Sequence, residues 1–291
     1  MSADTVDLGD EMAAIDRPDY LRVFLTFIRN NLVRAMSFRA NFLIECVSSV
    51  SWVVMNIGFY MLIFRHVPVL VQGTGWGQYE FFVFLATTML VNSLVQAFFM
   101  PNAQEFSELI RTGNLDFALL KPIDTQFLIS LRRIEWSALA NFAVGVGLLV
   151  FSLWKLTGRE EQPLVLNPMV WVLYPFYLAC GIAILYSLMI SLAATSIWLG
   201  RNQSLYNFWF YITNFSRYPM EIYQSFFPLQ WFFTFIIPVL IVVNVPARMM
   251  AMPLEGSWTL PVFAVFATIG SLLASRAVFS ASLLSYRSAS S

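Results

Sequence analysis

The chain has 291 residues, 58% of them hydrophobic and 12% charged, with a formal net charge of zero and a mean hydropathy of +0.68. Its Lys and Arg residues form no basic stripe outside the segments flanking apolar blocks, which excludes nucleic acid as a partner. The apolar blocks approach the ~20 residues a helix needs to cross ~30 Å of hydrocarbon, so the fold class is an all-α polytopic membrane protein.

Residues 1–19 carry Asp4, Asp7, Asp10, Glu11, Asp16 and Asp19 against Arg17. This is the reverse of a basic leader segment, and it reads as an acidic cytosolic tail. Over 20–40, Leu21, Phe24, Ile28, Leu32 and Met36 recur at helical spacing, with Arg22, Thr26, Arg29 and Ser37 on another side. A helix apolar on one side and basic on the other suits the membrane interface, although the same residues could be the front of a long first span. Cys46 and Cys180 both fall in apolar blocks, where a thiol packs as a small hydrophobe.

Apolar spans are expected at about 41–64, 80–100, 134–155, 169–199 and 258–280. Between the last two, 204–218 is expected to form a fifth span, and 219–245, broken by Pro228 and Pro238, a re-entrant hairpin at the outer face. Polar backbone at that depth must be covered by protein or face a wet cavity. Six crossings with both termini in the cytoplasm put Arg17, Arg22, Arg29, Arg34, Arg39, Arg111, Lys121, Arg132, Arg133 and Arg201 inside, against Arg65, Lys155 and Arg159 outside. That bias follows the positive-inside rule, and Arg276 and Arg287 extend it to the C-terminus. Trp76, Trp136, Trp154, Trp171, Trp198 and Trp258 fall near predicted span ends, where indole is favoured. No linker divides the spans, and 41–291 is expected to be one transmembrane domain.

The most polar passage between two spans is 101–133. Asn102 and Glu105 have the spacing of a helix-starting capping box, Phe106, Leu109 and Ile110 form an apolar stripe, and Glu108 and Arg111 lie one turn apart. Gly113 is placed to stop the helix in the left-handed conformation. Asn114–Asp116 should turn, and Asp124 should restart a helix running through Arg132 and Arg133 into the third span. The apolar stripe needs a partner, which could be another protein, the chain's own interfacial helix or lipid headgroups.

Several chemistries lack their residues. There is no G-x-x-x-x-G-K-[ST] phosphate loop, and His66 is the single histidine, which excludes an H-E-x-x-H metal site. Glu45 is a carboxylate inside the expected first span, shallow enough to pair with Arg39, and Glu135 is expected to pair with Arg132 or Arg133. Ala179, Ala183, Ser187, Ser191 and Thr195 repeat every four residues as a narrow ridge for helix packing or a conduit wall. Ala143 with Gly147, and Ala267 with Ser271 and Ser275, are similar.

The segment "ELIRTGNLDFALLKPIDTQFLISLRR" at 108–133, with "FSRYPMEIY" at 215–223 and "IIPVLIVVNVPA" at 236–247, resembles the permease subunits of type-2 ATP-binding-cassette exporters. The nearest likeness is to a bacterial subfamily first defined as a membrane domain of unassigned function. The resemblance implies a cytoplasmic coupling helix over 102–112 that contacts a separate cytosolic ATPase dimer through Asn102, Glu105, Phe106, Glu108, Leu109 and Arg111. Phe106 and Leu109 would be the buried anchors, and Tyr218, Pro219 and Glu221 would shape an outer gate. It further implies a second permease subunit, a different chain, in a bacterial inner membrane. The chain itself would bind no cofactor; ATP and Mg would sit in the ATPase. The cargo would be amphipathic, lipid-like or drug-like, a cationic drug among the candidates. Alternatives from the residues alone are an ion-coupled secondary transporter, a membrane-embedded lipid enzyme and a non-transporting scaffold.

Overall fold

The computed structural model describes residues 19–67, 76–160, 163–199, 203–252 and 258–286. The acidic tail up to residue 18, Arg201 and Arg287 lie outside them. Helix α1 (Tyr20–Ser37) is capped by Asp19, whose side chain accepts from the Arg22 N–H, and is set off from α2 (Arg39–His66) by Phe38, which leaves helical geometry at φ −111° and ψ 45°. The N-terminal amphipathic segment is therefore a separate helix, not the front of the first span. Among the described residues, five helices are long and apolar enough to cross a membrane: α2; α3 (Gln78–Phe98) continued by α4 (Met100–Arg111); α7 (Ala138–Thr157); α8 (Val170–Ala194) continued by α9 (Ser196–Leu199); and α13 (Thr259–Ser285).

The predicted fifth span is realised as α10 (Gln203–Asn214) and a 3-10 turn, Phe215–Arg217. At 1.5 Å per residue α10 alone covers about 18 Å, short of a full crossing. After it come a 3-10 stretch (Met220–Phe226), a short helix α11 (Phe227–Trp231), a π-turn (Phe232–Ile236) and α12 (Leu240–Ala251). The arms Met220–Ile236 and Leu240–Ala251 meet at 88°, a bent pair of the kind expected from the prolines.

Two ends of the bundle can be told apart by their contacts. At the hairpin end, Arg159, just beyond α7, grips Glu80 at the start of α3 through two hydrogen bonds of 2.6 and 3.1 Å. There Glu221 forms an ion pair with Arg248 and accepts from Trp76 Nε1 at 2.9 Å. Trp76 is thus fully buried, not part of a lipid-facing belt, whereas Trp154, Trp171, Trp198 and Trp258 are exposed near helix ends as expected. The hairpin is also tied across its arms, with Asn244 Oδ1 accepting from the Met220 N–H at 2.9 Å.

Helix α3 is the centre of the bundle, buried along most of its length between α7, α8 and α12. Small residues set the closest approaches, at Gly145 and Gly181, while Ser187 and Ser275 of the expected ridges are buried. In α7 it is Gly145 that meets Met89 and Leu90, while Gly147 faces open space and Ala143 is exposed. In α8, Gly181 lies against the backbone of Val242, so that α12 sinks to mid-length of its neighbour. Ala179 is exposed, and Ser187, Ser191 and Thr195 return their hydroxyls to carbonyls of their own helix. Along α13 the buried stripe includes Thr268 and Ser275.

A Cβ on Gly181 would stand 2.6 Å from the Val242 carbonyl oxygen, a backbone atom that cannot swing away. Gly181→Ala is expected to cost about 1–3 kcal/mol by forcing α12 outward, read as a lower melting temperature in detergent. An unchanged melting curve would place α12 elsewhere.

Candidate functional site

The polar passage after the second crossing folds into three short helices at the end opposite the hairpin. Helix α4 starts at Met100 with Pro101 in its first turn, two residues before the expected start, and its N-cap residue Phe99 makes no side-chain cap. Asn102 and Glu105 do not form a capping box. Asn102 is buried, and its amide clamps Arg133, accepting from the backbone N–H and donating to the carbonyl, each at 2.7 Å. Glu105 pairs with Arg133 at 2.7 Å and Arg132 at 3.6 Å. The reason lies in 132–135, where the chain leaves helical geometry: Asn102 serves Arg133, and the Ala97 carbonyl takes the Glu135 N–H at 2.8 Å. The helix expected to run into the third span is accordingly interrupted here. Glu135, its expected arginines engaged elsewhere, accepts from the Ser137 hydroxyl, and Glu45 accepts from Asn41.

Gly113 ends α4 at φ 71°, the left-handed conformation expected of it. Helix α5 (Leu115–Leu119) follows, then α6 (Thr125–Leu131), whose cap is Asp124 Oδ1 accepting from the Phe127 N–H at 2.9 Å. Arg276 of α13 also reaches Asp124, at 2.6 and 3.2 Å, and Gln126 at 2.9 Å. Burial pushes the Asp124 carboxyl up, but the guanidinium and the capping N–H together outweigh it and hold the group below its ordinary value. Tyr186 of α8 bonds Gln126 and Ser130, and Asn31 of α1 donates to the Arg132 carbonyl. The end of the loop that carries α6 is thus bonded to α1, α8 and α13.

The apolar stripe of α4 is divided. Phe106 is wholly buried, its ring 5.7 Å from that of Phe279 in α13, so the expected anchor for another protein is an internal contact. Leu109 and Ile110 are half-buried against the same core. Facing out are Glu108 and Arg111, joined by two hydrogen bonds of 2.9 and 2.5 Å that hold the Glu108 carboxyl below its usual range. Further along the loop, Phe117 is 68% exposed and Leu120 80%, large apolar groups in a polar segment. Neither is marked by periodicity, because the helix at 115–119 is too short to show one. Among the described residues no group of His, Cys, Asp and Glu could hold a metal ion.

Of the residues assigned to the other end, Pro219 and Glu221 are buried within the hairpin, and Tyr218 is 42% exposed toward a cleft between α2 and α3. A helical membrane bundle with a polar loop at one end and a bent hairpin at the other frames the comparison with known families. Residues 50–290 match the family described as ABC-2 family transporter protein. The chain belongs to that family. It is an ABC-2 multi-pass membrane protein, and the ABC-2 match covers the membrane domain, which has no nucleotide-binding module. The match includes the polar loop, the hairpin and α13, and begins inside α2 of this ABC-2 protein. A comparison with curated proteins gave no match.

Proposed function

We propose that this chain is the membrane subunit of an ATP-driven exporter, docked through α4 and α5 onto a separate cytosolic ATPase that holds ATP and Mg. The loop end and both termini lie in the cytoplasm of a bacterium, and the hairpin faces outward. The observation that carries this reading is the exposure of Phe117 and Leu120 on the same loop as the exposed Glu108, Arg111 and Lys121, a loop bonded to three other helices. A loop serving only as a connection gains nothing from two exposed apolar side chains, whereas a docking face needs apolar anchors with a charged rim. Asn102, Glu105 and Phe106 hold this face from behind, and Leu109 lies at its edge.

Force applied to α4 reaches α3 directly, since the two are consecutive, and reaches α13 through Phe106 and Phe279 and through Asp124 and Arg276. Nucleotide-driven closure of two ATPases would then rock the spans. Two permease subunits make the complex, the second a different chain; α2, which buries only Phe64 within this chain, leaves its flank open for it. The cargo is an amphipathic, lipid-like or drug-like compound. An ion-coupled mechanism finds little support, because Glu80 and Glu221 are both neutralised by arginines and Glu45 is shallow.

The double substitution Phe117→Asp with Leu120→Asp is expected to reduce recovery of a co-expressed ATPase at least about tenfold, on the scale of losing two interface anchors. The permease melting curve should stay as in wild type, because neither side chain packs inside it. Wild-type recovery of the ATPase would remove α5 from the docking face.

A further inference from the structure

Between α2, α3 and α7 lies a cleft of ≈ 510 Å³ along the middle of these helices. Its lining combines apolar walls, Trp52, Ile57, Leu85 and Met89 among them, with the amides of Asn56, Asn92, Gln96 and Asn141. A second opening of ≈ 880 Å³ shares Ser49 and Gln96 with it and reaches α4, so that the two form one path from the loop end. The upper part of that path is closed by Arg217 and Tyr218, where the 3-10 turn after α10 brings the chain over α2.

Arg217 is the single charged residue of the 510 Å³ cleft, and it has no ion pair among the described residues. The other arginine of the hairpin region, Arg248, is neutralised by Glu221. Arg217 is exposed at the mouth of the cleft, so its guanidinium can take an anion from outside the chain. The same lining contains a second unsatisfied group, the Oδ1 of Asn141, buried without a hydrogen-bond partner. Such an atom calls for an occupant. In the vestibule below, Glu105 and Glu108 are each paired with an arginine, while Glu135 has only the Ser137 hydroxyl as partner among the described residues, so the attraction for an anion lies beyond it, at Arg217.

We propose that this cleft binds an amphiphile with an anionic headgroup, the anion held by Arg217 and the chain laid along Trp52, Ile57 and Met89. The assignment rests on the export reading and narrows its cargo. A fork of guanidinium donors suits a phosphate, sulfate or carboxylate, and the cleft has the volume of a small-molecule site. A cationic drug meets the wrong charge there.

The test uses the full-length chain in phosphatidylcholine nanodiscs, with and without co-expressed ATPase, and dodecyl phosphate carrying a diazirine at its chain end. Saturable labelling of peptides from α2 and the 215–223 segment is expected. Arg217→Gln should weaken it by roughly tenfold or more, the loss of a charged hydrogen bond, and Arg217→Lys should retain most of it. Dodecyltrimethylammonium with the same diazirine should not compete.

Equal labelling of Arg217→Gln, competition by the cation, or no saturable labelling of the wild type would overturn the proposal. So would displacement by inorganic phosphate as effective as by dodecyl phosphate, which marks a free-anion site, or by phosphatidylglycerol in the disc, which marks a lipid-headgroup contact. A cross-link from Arg217→Cys to a second permease chain that blocks labelling would assign the cation to a subunit interface and overturn it likewise. Failure of the ATPase to co-purify with wild type would instead count against the export reading, while the titration in nanodiscs still reads the cleft.

Discussion

Arg248→Met is expected to be among the most destabilising single changes in the chain, costing about 3–5 kcal/mol. The Glu221 side chain is only 3% exposed, and its carboxylate has two partners in the structure, the Arg248 guanidinium and the Trp76 indole N–H. Deleting the cation leaves a buried negative charge with one neutral donor. The reverse deletion is milder, because the Arg248 side chain is 41% exposed and can turn to water. Glu221→Gln keeps an acceptor for Trp76 and should cost about 1–2 kcal/mol, the value of an exchanged hydrogen bond. The double variant should recover much of the Arg248→Met loss, since the uncompensated charge is then gone. Thermal unfolding of the four proteins, with amide exchange over 220–251, measures this. Equal, small losses for both single variants would mean that water reaches the carboxylate and that the pair does not hold the hairpin shut.

That asymmetry also explains why the hairpin was only half legible in the sequence. Pro228, Pro238 and the apolar runs around them announced a broken span, because proline's missing N–H is a local property. The partners that stabilise the break are not local. Glu221 could be assigned to the outer end by position, but nothing in its neighbourhood names Arg248 or Trp76. Neither Arg217 nor Arg248 entered the counting of flanking charges, one lying in the expected fifth span and the other just after the hairpin.

The same limit operated in the polar loop. Gly113 and Asp124 were read correctly, one because left-handed backbone favours glycine and the other because an N-cap bonds within three residues. Asn102 and Glu105 satisfied a local spacing rule, yet both were spent on Arg133 because the non-helical chain at 132–135 needed them more. Small residues behaved alike: alternate glycines of α7 point to opposite faces, and spacing does not say that Gly145, not Gly147, meets α3. Periodicity finds an amphipathic stripe; it cannot say whether the chain itself or another molecule covers it.

Phe106 is where that distinction is sharpest, and Phe106→Ala is expected to separate docking from coupling. Its ring is wholly buried and faces Phe279, so truncation opens a cavity between α4 and α13 worth about 3–5 kcal/mol. The outward side chains, Glu108, Arg111, Phe117 and Leu120, are untouched, so ATPase recovery should stay near wild type. Transport, and any stimulation of ATP hydrolysis by cargo, should fall, because movement of α4 no longer reaches α13 through a packed contact. Phe279→Ala should give the same pattern from the other side, and Phe106→Leu, which keeps apolar volume, an intermediate one. If Phe106→Ala instead strips the ATPase while the melting curve stays put, the ring is seated in the motor during turnover and α4 must rotate away from α13 to present it.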